Sequence, residues 1–125
     1  MFCYYIALKE IKMIVNDGGK GKVWLQLQQP RGTKWQRCPT EVIDFSSGGT
    51  LIWNAKNLGA CKNFKFDSAI ATIDFWIKAE NSDKFCPTSV ELVLNDDQNT
   101  SFFLDDMDCD YNRNTNNKKH TAKIQ

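Results

Sequence analysis

Histidine is almost absent from this chain: His120 is the single copy in 125 residues, and it stands in a polar C-terminal stretch. A serine or cysteine nucleophile needs a histidine held rigidly beside it. Zinc and copper sites commonly draw on several. Neither chemistry is expected here, and the chain reads as no enzyme. Charge of one sign is lacking as well. The net charge is +1 and the basic residues are scattered, which argues against a phosphate-tracking surface and so against a nucleic-acid partner. No apolar run approaches the roughly 20 residues of a membrane span. Convincing helical periodicity is missing throughout.

Two further absences concern the cysteines and the start of the chain. The five cysteines, at 3, 38, 61, 86 and 109, include no C-x-x-C pair. That spacing disfavours a zinc ribbon or a thioredoxin-like motif. Their even spread in a strand-rich chain points instead to disulfides and an oxidising compartment. Cys38, Cys61, Cys86 and Cys109 are the disulfide candidates, with Cys3 the expected spare thiol. Met1 to Glu10 has no basic leader and too short an apolar run for a signal peptide. The expectation of secretion therefore rests on the cysteines, joined by the N-glycosylation pattern Asn99-Thr100-Ser101.

What the sequence does contain is alternation. The stretch from Phe66 to Leu94 holds two strand-like segments, Ala69 to Ile77 and Ser89 to Leu94, on either side of a polar loop with Cys86-Pro87. Apolar and polar residues alternate in both, as half-buried strands require. Residues 4–15 form a looser strand. Asn16-Asp17-Gly18-Gly19 supplies a turn, and Lys22 to Gln28 is a clear strand broken by Pro30-Arg31-Gly32. Short strands follow at Glu41 to Phe45, Thr50 to Trp53 and Thr100 to Leu104, with an extended run from Cys61 to Phe66. Turn signals recur about every 8–12 residues, a pattern that reads as a sandwich or barrel. The expected fold is all-β: a single antiparallel β-sandwich of about eight short strands, disulfide-stapled, over residues 1–108. Residues 109–125 mix asparagine with lysine and arginine and hold little apolar content, so they read as a flexible polar tail.

Two clusters could carry function. The first is acidic: Asp96, Asp97, Asp105, Asp106, Asp108 and Asp110. From Asp106 the alternate oxygens resemble the start of a Ca²⁺-binding loop. Tyr111 then stands where that loop needs glycine, and Asn117 where it needs glutamate. A looser Ca²⁺ site at a rim, or a solvated acidic turn, are the alternatives. The second cluster is aromatic. The four tryptophans cannot all be interior: Val23, Leu25 and Leu27 take one face of their strand and leave Trp24 beside Gln26 and Gln28. Trp35, among Arg31, Lys34 and Arg37, is the aromatic most expected to be exposed and to bind. Asp74 and Glu91 read as solvent-facing strand carboxylates rather than a catalytic pair.

The order of these motifs resembles the PLAT/LH2 domain, a β-sandwich attached to lipases, lipoxygenases and polycystin-type proteins. The matching residues are Asp17-Gly18-Gly19, Val23 to Leu27, Phe45-Ser46-Ser47-Gly48, Leu58-Gly59, Ile70 to Ile77, Phe85 to Leu94 and Ser101-Phe102-Phe103. Phe85 stands where that family usually has tryptophan, and the cysteine framework is not typical of it. The resemblance implies a non-catalytic module that docks on a lipid surface or a protein partner, sometimes with Ca²⁺ held by rim loops. Asp17, Asp96 and Asp97 would be the rim residues. The expectation is a secreted binding module working through Arg31, Trp35 and Arg37, possible Ca²⁺ being held by the acidic rim including Asp106 and Asp108. A toxin-like or defence protein that binds one receptor is the alternative. A carbohydrate-binding module resting on Trp24 is a third reading.

Overall fold

The computed structural model describes residues 5–17, 19–28, 35–45, 47–67, 69–80, 84–105, 107, 109, 111 and 117–125. Ten strands run through them: β1 (Tyr5–Asp17), β2 (Gly19–Gln28), β3 (Trp35–Arg37), β4 (Glu41–Phe45), β5 (Gly49–Trp53), β6 (Lys65–Asp67), β7 (Thr72–Glu80), β8 (Cys86–Leu94), β9 (Ser101–Leu104) and β10 (Asn117–Ile124). A 3-10 turn, Gly59–Asn63, occupies part of the run expected to be extended.

All ten strands hydrogen-bond into one antiparallel sheet in the order β3-β2-β7-β10-β9-β8-β1-β5, with β4 also on β2 and β6 also on β1. The sheet curls into a half-barrel. This replaces the expected pair of facing sheets. The long strands β1 and β2 each hold two short partners in succession along one edge. Val15 to Ile11 of β1 pair with β5, and Ala7 to Tyr5 with β6. On β2, Gly19 to Val23 pair with β4 and Gln26 to Gln28 with β3.

Strand alternation puts one face of each element into the hollow of the curl. Val23, Leu25 and Leu27 meet Ile73, Phe75, Ile77 and Ala79, and all seven are essentially inaccessible. Val90, Leu92 and Leu94, with Phe102, continue the layer. Each such side chain contributes about 1.5–3 kcal/mol on leaving water. On β1 the alternation breaks: Ile6 and Leu8 are buried, then Ile11, Met13 and Val15. Leu8 pairs with Leu94 but Glu10 pairs with Val93, so two steps on β1 match one on β8. This bulge inserts one residue and returns the odd positions to the inner face. It explains why residues 4–15 alternate only loosely in sequence.

The four cysteine candidates pair as Cys38–Cys61 and Cys86–Cys109. Cys38 directly follows β3, so the first bridge ties that short edge strand to the 3-10 turn. The corner around it is closely fitted. The buried Trp53 indole donates to the Pro39 carbonyl at 3.2 Å. Gly59 has φ +56°, and a Cβ there would lie 2.5 Å from Pro39 Cγ. Both facts demand glycine at the Leu58-Gly59 turn.

The flexible tail is corrected. Asn117–Ile124 is a strand inside the sheet, between β7 and β9, so the boundary at 108/109 does not divide the described fold. A polar sequence suffices because β10 contributes chiefly backbone hydrogen bonds. Its fully buried side chain is the small Ala122, opposite Ile73, and His120 covers Phe75 with ring centroids 5.5 Å apart. The buried Tyr111 closes this side. Its hydroxyl lies 2.6 Å from His120 Nε2, and its ring meets Phe85 edge-on at 5.3 Å.

Candidate binding face

Side chains that alternate away from the core form the outer face of β3-β2-β7-β10. The register sets its rows. Gln26 of β2 lies opposite both Arg37 of β3 and Trp76 of β7, and Trp76 lies opposite Lys119 of β10. One step along, Gln28 lies opposite Trp35 and Asp74, and Asp74 opposite Thr121. In the other direction Trp24 lies opposite Lys78.

Three of the four tryptophans therefore share one surface, while Trp53 belongs to the core. Trp35 and Trp76 are half-buried and meet edge-on with centroids 6.1 Å apart. The Arg37 guanidinium carbon lies 3.9 Å from the centre of the Trp24 ring, and Lys78 Nζ lies 4.9 Å from it. Such cation–π contacts contribute about 0.5–1 kcal/mol at exposed sites. They also fix the direction of two cations. Asp74 accepts from the Thr121 hydroxyl at 2.7 Å and lies 3.6 Å from Lys119 Nζ. Glu80 lies 3.8 Å from Lys78 Nζ. Arg37 is exposed, with its Nη2 donating to the Thr40 hydroxyl at 3.2 Å.

Of the residues expected to bind, Trp35 and Arg37 fall on this face, on the short edge strand β3. Trp24 is on it too, and it keeps 8 % of its surface because Arg37 and Lys78 cover the ring. Arg31, Asp106 and Asp108 lie outside the described residues, as does Cys3.

The proposed rim carboxylates are not brought together. Asp17 pairs with Cys86 at one end of β8, and Asp96 follows Leu94 at the other. Eight residue steps along β8 separate those ends, roughly 26 Å at about 3.3 Å per step. Each carboxylate also braces its own turn. Asp17 Oδ1 accepts from Gly19 N at 3.1 Å. Asp96 Oδ2 accepts from the Thr100 hydroxyl at 2.5 Å and Oδ1 from the Thr100 amide at 2.8 Å. Those bonds, the hydroxyl first and the amide second, hold the Asp96 carboxyl below its ordinary pKa. Asp97 is exposed. Among the described residues no three His, Cys, Asp or Glu side chains stand together as a metal site.

Asn99 is exposed in the β8–β9 turn at φ 49°, its Oδ1 accepting from Lys9 Nζ at 2.9 Å. Sequence reasoning missed Trp76, Lys78 and Lys119 as members of the face. The parity of β7 placed Trp76 away from the core, but only the pairing of β2 with both β3 and β7 sets it beside Trp35. No family model, curated protein or solved structure matches this chain. The two disulfides point to an oxidising location, and no helix among the described residues is long and apolar enough to cross a membrane.

Proposed function

We propose that this chain is a secreted, non-catalytic binding module that takes an extended macromolecular partner across the outer face of β3-β2-β7-β10. One observation carries the reading: the strand register collects Trp24, Trp35, Trp76 and Arg37 on a surface the core does not use. Tryptophan and arginine supply large contact area and directed hydrogen bonds, and they dominate binding surfaces for that reason. The face is built on paired strands, with β3 tied down by Cys38–Cys61, so little ordering remains to be done on binding. Lipid docking through a loop-borne Trp35 has less support, because Trp35 is half-buried and belongs to strand β3. Asp17 and Asp96 are engaged in their turns, so the reading invokes no Ca²⁺. Asn99, exposed in the β8–β9 turn, is the expected glycan acceptor.

The test compares Trp35→Ala and Arg37→Ala with Ile52→Ala, whose side chain is 42 % exposed on β5. A panel of glycans, peptides and lipid vesicles identifies ligands of the wild type. Each should lose about tenfold in affinity with the first two variants and nothing with the third. Ligands that ignore Trp35→Ala and Arg37→Ala would remove the face from the account.

A further inference from the structure

Charge on the two halves of the outer surface differs. On β3-β2-β7-β10 the carboxylates of Asp74 and Glu80 are each taken by a lysine. Arg37, Lys22 and Lys123 alternate onto the same face, and among the described residues none of the three forms an ion pair, Lys22 lying opposite a Glu80 that is held by Lys78. On the outer face of β8 and β1, Lys12 stands between Glu91 and Glu10 with no cationic excess. The whole chain carries only +1, so the excess is local to the tryptophan-bearing half.

Resting on the reading of that half as the binding surface, we infer that its occupant is an anionic polysaccharide, a chain of pyranose rings carrying carboxylate or sulfate groups. The row Arg37–Gln26–Trp76–Lys119 supplies the recognition. Three strand spacings of about 4.8 Å separate the backbones of Arg37 and Lys119 by roughly 14 Å, with the indole between them. The C–H face of a pyranose packs on an aromatic ring. An anionic substituent on one side meets the guanidinium, which can hold it with two parallel hydrogen bonds. A substituent on the other side meets the ammonium of Lys119, which it shares with Asp74 at 3.6 Å. The Gln26 amide lies between them, a donor and an acceptor for ring hydroxyls. Two alternatives fit less well. A bilayer calls for aromatics projecting from a loop tip, and these lie on strands. A single-stranded nucleic acid shares the stacking and the charge but resides in reducing compartments, whereas this fold carries two disulfides.

Binding of the oxidised full chain to immobilised heparin and to hyaluronan, with dextran, phosphatidylserine vesicles and oligo-dT as comparisons, tests this directly. Heparin or hyaluronan should bind, and dextran should not. Which of the two binds reports whether sulfate or carboxylate is the recognised group. Affinity should fall as salt rises. It should drop about tenfold in Arg37→Ala and in Lys22→Glu, both exposed positions, and stay unchanged in Lys12→Glu on the other half. Failure of both anionic glycans to bind, tighter binding to vesicles or oligo-dT, or equal loss in Lys12→Glu would overturn the inference. Dextran binding that is lost in Trp35→Ala but kept in Arg37→Ala would also overturn it, while leaving the face itself in place.

Discussion

Replacing Cys38 and Cys61 together by alanine removes the bridge that holds β3, and with it the strand that presents Trp35 and Arg37. The two cysteines are 23 residues apart. Opening a loop of that length returns about 3.4 kcal/mol of chain entropy to the unfolded state. Cys38 and Cys61 are also fully buried, so lost packing adds roughly 1–2 kcal/mol. For 125 residues the unfolding entropy is about 0.26 kcal/mol/K, and the loop term alone lowers Tm by roughly 13 °C. The second bridge, Cys86–Cys109, spans the same 23 residues and supplies an internal control. Its entropic contribution is equal, but Cys109 is exposed, so Cys86→Ala/Cys109→Ala should cost less. Thermal melts followed by tryptophan fluorescence read both quantities. The Cys38→Ala/Cys61→Ala variant should also show a red-shifted native spectrum as Arg37 leaves the Trp24 ring. A Tm loss under about 4 °C, or a larger loss from the second pair than from the first, would refute the reasoning.

Three other outcomes are expected. Deleting residues 117–125 opens β7 and β9 along their shared partner and uncovers Phe75, so the truncated chain should lose its cooperative melt; a sharp transition retained after the deletion would contradict the placement of β10. Asp96→Asn removes an acceptor charge whose folded pKa lies below the ordinary 3.8. A depressed carboxylate stabilises the fold above the unfolded pKa, and that contribution is lost as pH falls through the lower folded value. The stability gap between wild type and Asp96→Asn should therefore be widest at neutral pH and close under acid; a gap that stays constant in denaturant melts would speak against the Thr100 bonds. Gly59→Ala should cost about 1–2 kcal/mol in urea unfolding, since its positive φ and the contact with Pro39 both resist a side chain; a neutral result would show that the corner gives way.

Eight strands announced themselves through alternation or turn signals, because β1, β2, β4, β5, β7, β8 and β9 each bury one face and β6 sits in the extended run around Phe64 and Phe66. β3 and β10 did not. Trp35-Gln36-Arg37 is too short for alternation to register, and its strand character comes from backbone bonds to Gln26, Leu27 and Gln28. β10 lacks apolar content because its neighbours Ile73, Phe75 and Ile77 fill the core, which leaves room only for Ala122 and the half-buried His120. The expected sandwich became one curled sheet for a related reason. Alternation tells which side chains share a face but not which strands are neighbours. The same limit governs the candidate face. Trp35 and Arg37 stood out by composition and the parity of Trp24 and Trp76 was readable, yet their union depends on β2 lying between β3 and β7. The acidic residues show the same limit: Asp96 and Asp97 are neighbours in sequence, while Asp17 was joined to them by motif order, and the length of β8 keeps Asp17 apart from that pair.

The four indole N–H groups offer the most direct test of the central claim, that the outer face of β3-β2-β7-β10 is the binding surface. In a ¹⁵N-labelled sample titrated with heparin and, separately, hyaluronan oligosaccharides, the signals of Trp35 and Trp76 should shift and that of Trp24 should follow through Arg37. Trp53, buried and bonded to the Pro39 carbonyl, should stay still. Shifts confined to Trp53, or binding that leaves Trp35 and Trp76 unmoved while residues of β1 and β5 respond, would contradict the account.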